Sequence, residues 1–211
     1  MMLAGAAAEK GRCVMHILPD VFSGLATVCI FISCALYFRQ TIKNESTPNL
    51  MTWLVFVFIA VMNTFTYYSV VGGDVVKTSM VVIHTSMLLL IFLYTAWKRK
   101  FTETRMVDVF CILLAIAVGV FWKLSDNDDV TNVLLQIIIV ISTVPTIIGL
   151  QDGRGREKAI SWFFAVSAYV FLSGSLIVDP ETEGWVPYTY PFLRGLMCIG
   201  VIVSLKKRCR K

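Results

Sequence analysis

Leu36–Phe58 reads LYFRQTIKNESTPNLMTWLVFVF, and Pro145–Ser167 reads PTIIGLQDGRGREKAISWFFAVS. In each stretch an apolar run ends, a polar loop with basic residues follows, and a hydroxyl residue and a tryptophan open the next run. The pairs are Thr52-Trp53 and Ser161-Trp162, 109 residues apart. Outward from these junctions, apolar runs occupy 21–38, 50–71, 76–96, 107–123, 130–150, 160–178 and 186–205. Continuous runs of this length, without period-two or amphipathic alternation, read as membrane-spanning helices. The charged fraction agrees: 16% of residues are Asp, Glu, Lys or Arg, against about 25% in a soluble domain. The same offset carries span 1 onto span 5, span 2 onto span 6 and span 3 onto span 7, and leaves span 4 over. The expected fold is therefore all-α and membrane-embedded: seven transmembrane helices in two parallel triple-helix bundles joined by a linker helix (3+1+3), related by an axis along the membrane normal. The expected organisation is a mobile tail over 1–20, a first bundle over 21–96, a loop and linker helix over 97–129, a second bundle over 130–205 and a basic tail over 206–211.

The net charge of +5 is not a nucleic-acid signal, because the basic residues are sorted by loop. Arg39 and Lys43 lie after span 1, Lys98, Arg99, Lys100 and Arg105 after span 3, and Arg154, Arg156 and Lys158 after span 5. Lys206, Lys207, Arg208, Arg210 and Lys211 follow span 7. The opposite side holds only Lys10, Arg12, Lys77 and Lys123. The positive-inside rule then places the C-terminus in the cytosol and the N-terminus outside or in a lumen. The start, MMLAGAAAEKGRC, lacks the apolar core of a cleavable signal. The Asn44-Glu45-Ser46 sequon falls on the cytosolic side and is expected to be unmodified.

The last run, VPYTYPFLRGLMCIGVIVSL over 186–205, places Arg194 eight residues into the span. At about 1.5 Å per residue that is roughly 12 Å of depth, near the bilayer midplane. An arginine there costs at least roughly 2.5 kcal/mol unless it faces a protein interior or a polar cavity. No acidic residue lies deep inside an apolar run; Asp108 stands at the start of span 4. Arg194 has two readings. It is either a strut, bonded to carbonyls freed near Pro191 or paired with Asp20 or Asp108, or a site for a carboxylate, phosphate or other anion, for which its planar fork of donors is suited. His84 falls within one residue of Arg194 in the repeat frame, which would place both on one cavity; buried and neutral against a carbonyl is its other reading. Asn63, Gln136 and Tyr67 complete the candidate substrate-binding set. Their alternatives are interhelical hydrogen bonding for Asn63 and Gln136 and interfacial anchoring for Tyr67 and Tyr68. Trp53 and Trp162 read as interfacial anchors or as an intracellular gate. Pro145, inside span 5 and followed by Gly149, reads as a hinge or as a tolerated membrane proline.

The stretches ISTVPTIIGLQDGRGREKAISWFFAV and NESTPNLMTW resemble the SWEET and PQ-loop transporter superfamily, especially its bacterial-type members, over nearly the whole chain after residue 20. The resemblance implies triple-helix bundles, a central substrate route, proline-based gating and often homo-oligomers. The naming proline-glutamine pair is absent, since Pro145 is followed by Thr146 and the first half has Leu36-Tyr37. The third helix of each bundle also lacks the asparagine that faces sugar in family sugar transporters. The fold is shared with a seven-span receptor that recognises carboxylates through basic residues.

Six cysteines show no metal or redox spacing, and no paired-carboxylate, H-E-x-x-H, G-x-S-x-G or phosphate-loop motif is present. No enzyme activity, metal or cofactor is therefore expected. A retinal protein would need a buried lysine in the last span, which has none before Lys206. The expected function is a facilitative or ion-coupled transporter of a small polar solute by alternating access, with an anion as the class favoured by Arg194. The alternatives are a ligand-binding receptor or sorting protein of the same fold, or a channel. The expected partners are a small-molecule solute and membrane lipid, with no nucleic acid.

Overall fold

The computed structural model describes residues 2–46, 50–98, 106–151, 156–179, 182 and 184–208. The described residues form seven helices: α1 (Met2–Ile42), α2 (Leu50–Val70), α3 (Val75–Trp97), α4 (Met106–Ser125), α5 (Asp128–Gln151), α6 (Ala159–Val178) and α7 (Val186–Arg208). Six of them are long and apolar enough to cross a membrane; the apolar part of α4, Val109–Ser125, is shorter. The chain is thus a multi-span helical membrane protein.

One boundary differs from the sequence reading. α1 continues through Pro19 and reaches back to Met2, while its membrane-compatible part starts at Ile17. Residues 2–20 are helical. Ala4, Ala6, Ala7 and Ala8 carry high helix propensity there.

Consecutive helices run up and down, so the bundle has two ends. A basic end collects the C-terminal ends of α1, α3, α5 and α7, with Arg39, Lys43, Lys98, Arg156, Lys158, Lys206 and Lys207 among the described residues; the opposite end collects Asp74, Lys77, Asp128 and Asp179. Local chemistry sets the turns at this opposite end. Gly72 and Gly73 adopt φ of 66° and 81°, a conformation that glycine takes without strain. The Asp74 carboxylate then caps α3 by accepting from the Val76 and Lys77 amides at 2.8 and 3.0 Å. Between α4 and α5, Asn127 Oδ1 accepts from the Val130 amide at 3.0 Å.

Six helices touch in the cyclic order α1, α6, α7, α5, α2, α3, and α4 lies outside this ring against α2 and α5. Small hydroxyl residues join neighbours across it. Ser23 and Ser175 hydroxyls meet at 2.8 Å between α1 and α6, and Thr27 and Ser79 at 2.9 Å between α1 and α3. Ser33 Oγ donates to the Ser161 carbonyl at 2.8 Å, and Thr64 meets Thr85 at 3.0 Å between α2 and α3. In hydrocarbon such bonds contribute about 0.6 kcal/mol each, and the small side chains let backbones approach. The large apolar side chains on the outside, such as Phe65, Val170 and Phe192, are exposed, as a lipid-facing surface requires.

Candidate functional site

The ring encloses a polar network built from residues one helical turn apart. On α5, Asn132 and Gln136 share a face; on α2, Asn63 and Thr66 do the same. Gln136 Nε2 donates to Asn63 Oδ1 at 2.5 Å, and Asn132 Nδ2 donates to the same oxygen at 3.1 Å and to Thr66 Oγ1 at 3.2 Å. All four are fully buried. From α7, Arg194 Nε donates to Gln136 Oε1 at 3.1 Å. The guanidinium also lies 5.5 Å from the centroid of the Tyr190 ring, one turn earlier on its own helix, within cation–π range.

Arg194 is only 2% exposed and makes no ion pair among the described residues. Its terminal amino groups have no hydrogen-bond partner among those residues either. It lines a cavity of about 60 Å³, room for a few waters or one small solute group. The walls are mostly apolar, with Ile30, Leu88, Ile91, Ala165 and Met197 among them. His84 lies on the same cavity and meets Tyr169 edge-on at 6.5 Å; no carbonyl or other hydrogen-bond partner holds it among the described residues.

The two sides of this cavity are lined differently. Toward the basic end, Tyr37, Trp53 and Trp162 line the cavity and pack on each other, with ring centroids 4.9 Å apart for Tyr37–Trp53 and 6.1 Å for Tyr37–Trp162. Behind them Glu157, in the segment before α6, accepts from Tyr37 Oη at 2.7 Å, Ser46 Oγ at 3.2 Å and Trp162 Nε1 at 3.4 Å. Burial pushes its carboxyl up to about 7, against the pull of these three donors. Toward the opposite end, the Tyr190 ring packs tilted on Tyr67 at 5.0 Å and edge-on to Tyr169 at 5.8 Å. Beyond them the Lys77 ammonium is held by Asp179 and by Asp74 at 3.1 Å, and Thr182 Oγ1 donates to Asp179 Oδ2 at 2.7 Å.

The candidate residues therefore fall into three groups. Arg194 and His84 share the cavity, and Trp53 and Trp162 mark its basic-end mouth. Asn63 and Gln136 stand behind Arg194 in the buried network. Tyr67 is fully buried against Tyr190. That corrects its anchor reading, whereas Tyr68 is 46% exposed as an anchor should be. Trp53 is 7% exposed and stacked on Tyr37, so it is an inward residue, not an interfacial anchor. Helix α5 continues through position 145; the Pro145 side chain lies outside the described residues, as does that of Asp108. Asp20, the other carboxylate considered for Arg194, is exposed. Asn132, Tyr190, Tyr37 and Glu157 join the site without having been singled out by the sequence. The four-residue spacings Asn132/Gln136 and Tyr190/Arg194 were the available signal for two of them.

Comparison of the chain with protein-family models, with curated proteins and with solved structures gives no match.

Proposed function

We propose that the chain is a carrier that moves a small anionic solute, most simply a carboxylate with an apolar body, through the Arg194 cavity by alternating access. One observation carries the reading. Arg194 is buried, its Nε is held by a neutral amide, and it faces a mostly apolar cavity whose lining contains no carboxylate. A buried cation without a counter-charge is costly, and an anion that enters with an apolar tail meets both the charge and the walls. The neutral Gln136 aims the fork without neutralising it, which a structural aspartate would do.

The helix contacts support the 3+1+3 repeat. Under the 109-residue offset the pairs α1–α3, α2–α3 and α1–α6 become α5–α7, α6–α7 and α5–α2, and each of these is a contact, with α4 outside. Trp53 and Trp162, the offset pair, meet at the same mouth, and His84 and Arg194 meet in the same cavity. This arrangement is what the PQ-loop resemblance implies, and the family assignment is proposed on that ground. The basic end is proposed to face the cytosol on the charge sorting of the loops. The two closures, Tyr37–Trp53–Trp162 and Lys77–Asp179, are then the inner and outer gates.

The test uses purified protein in two steps. Isobutyrate and isobutyramide match in shape and differ in charge. Isobutyrate should raise the thermal unfolding midpoint and isobutyramide should not. A panel of carboxylates should then show counterflow in proteoliposomes above empty vesicles. Equal effects of acid and amide would end the anion reading. Stabilisation without counterflow for any carboxylate would leave a ligand-binding receptor of the same architecture.

A further inference from the structure

Among the described residues, Glu157 is the carboxylate at the basic-end mouth of the cavity that is bonded to cavity-lining side chains. It is partly buried, and its three bonds come from three places: Tyr37 on α1, Ser46 in the segment after α1, and Trp162 on α6. Two of these donors, Tyr37 and Trp162, are themselves cavity walls. The group therefore sits on the seam between α1 and α6 that must part if the cavity is to open at this end.

All three partners are neutral. Among the described residues no basic side chain bonds to Glu157. The neighbouring Lys158 is engaged with Glu45 at 2.8 Å, and that pair holds the Glu45 carboxyl below its usual range. Arg39 and Lys43 on the α1 side are exposed. From α2 the seam receives Trp53, and from α6 Ser161 and Trp162, none of them charged. His84 and Arg194 belong to the inner part of the cavity.

We infer that Glu157 is a proton-binding site whose protonation accompanies closure of the basic-end mouth of the Arg194 cavity. The inference rests on the reading that this cavity opens at that end. The sign follows from linkage. With the mouth closed, burial raises the Glu157 carboxyl from 4.5 to about 7. With the mouth open, water reaches the group and returns it to the ordinary carboxylate range. The closed form then binds the proton more tightly than the open form, so acid favours closure. Above about pH 7, closing the mouth requires burial of a carboxylate with only neutral donors around it, and opening is favoured. The consequence is pH control of the mouth: a proton is taken up as it shuts and released as it opens.

Cys34 and Cys198 line the cavity and serve as native reporters. The parent, Glu157→Gln and Tyr37→Phe proteins are held in sealed vesicles with the basic end outward, so that reagent reaches the cavity only through that mouth. They are labelled with the small membrane-impermeant reagent 2-sulfonatoethyl methanethiosulfonate from about pH 5.5 to about pH 8.5, and the two cysteines are read by peptide mass spectrometry. Thiol chemistry itself speeds up with pH, so the measured quantity is the ratio of parent to Glu157→Gln rates at each pH. Glutamine mimics the protonated, closed form. The ratio should be near one at the acid end and rise at least about fivefold with a midpoint near pH 7. Tyr37→Phe removes a donor that favours the carboxylate, so its midpoint should lie at higher pH, which loss of packing alone would not produce. Should Glu157→Gln not fold, the ratio of Tyr37→Phe to parent carries the test: it must dip below one between the two midpoints and return to one on either side. A flat ratio with both cysteines labelled would overturn the proton site and leave the opening cavity standing. No labelling of either cysteine in any protein at any pH would overturn the opening cavity and the proton site together.

Discussion

Arg194 on α7 and Gln136 on α5 are joined by a bond of 3.1 Å from Nε to Oε1, and this bond decides how the arginine is used. Nε is the donor nearest the chain, so holding it fixes the guanidinium plane while leaving the terminal amino groups to the cavity. Gln136 is in turn fixed from its other end by Asn63 Oδ1 at 2.5 Å. The arginine is thus aimed by a chain of neutral groups running from α7 through α5 to α2, and its charge is kept.

The first prediction separates the fork from the charge. Arg194→Lys keeps the positive charge and loses the planar donors, so isobutyrate affinity should fall about tenfold. Arg194→Met removes the charge as well and should abolish the difference between isobutyrate and isobutyramide. The fold should tolerate Met, because a buried methionine costs less than a buried unpaired cation. Calorimetric titration of both ligands checks this. Equal loss for acid and amide in either variant would make Arg194 a strut.

The second prediction adds a charge where the protein has an amide. Gln136→Glu places a carboxylate against Arg194 Nε, forming an ion pair inside the bundle. Anion-induced stabilisation should disappear, while the ligand-free protein should unfold within about 1 kcal/mol of the parent, since the new pair compensates the buried cation. Gln136→Leu serves as the contrast. It leaves Arg194 Nε without its acceptor and should destabilise by about 1–3 kcal/mol. Denaturation midpoints in detergent, with and without isobutyrate, read out both effects. A Gln136→Glu protein that still responds to isobutyrate would place the anion elsewhere.

Much of this site was legible before any coordinates, and the rest was hidden for a physical reason. Arg194 announced itself because a charge inside an apolar run has no cheap explanation. Its bonding partner did not, because sequence gives a residue's depth in a span but not the rotation of one helix against another. The expected partners were Asp20 or Asp108, and the observed partner is Gln136. Trp53 shows the same limit: a tryptophan at the start of a span suits a lipid headgroup or a buried ring stack, and only the packing on Tyr37 decides. Glu157 was invisible because its loop reads as solvated and charged; its burial is created by α1 folding against α6. The apolar runs gave the multi-span helical bundle, six of whose helices are long and apolar enough to cross a membrane, whereas the reach of α1 to Met2 is not signalled because its first half is small rather than apolar.

The third prediction concerns the contact of α4 with α2. Gly119 in α4 faces Met62 and Phe58, and a Cβ at this position would lie 3.5 Å from the Met62 sulfur and from the Phe58 ring, ordinary van der Waals distance. A glycine inside a helix costs roughly 0.5–1 kcal/mol relative to alanine. Gly119→Ala should therefore stabilise the protein by up to that amount with no effect on ligand response, since α4 lies outside the ring around the cavity. Thermal unfolding in the same detergent tests it. A loss of stability would mean that the α2–α4 interface is tighter than these distances allow.

The fourth prediction concerns the outer closure. Lys77 is 6% exposed and is held by Asp179, which follows α6, and by Asp74 at the start of its own helix. The pair with Asp179 is the charged link that ties α3 to the segment between α6 and α7. Removing one partner leaves the other charge poorly solvated, whereas removing both leaves two neutral groups. Lys77→Met alone should therefore destabilise by about 3 kcal/mol, and the double variant Lys77→Met/Asp179→Asn by clearly less. The double variant should also hold the outer gate less firmly. Counterflow of any transported carboxylate should then become faster or lose its dependence on an outer-side substrate gradient, with cavity affinity unchanged. A double variant as unstable as the single one would show that Lys77 acts through Asp74, as part of the α3 cap, and that the link across to Asp179 contributes nothing of its own.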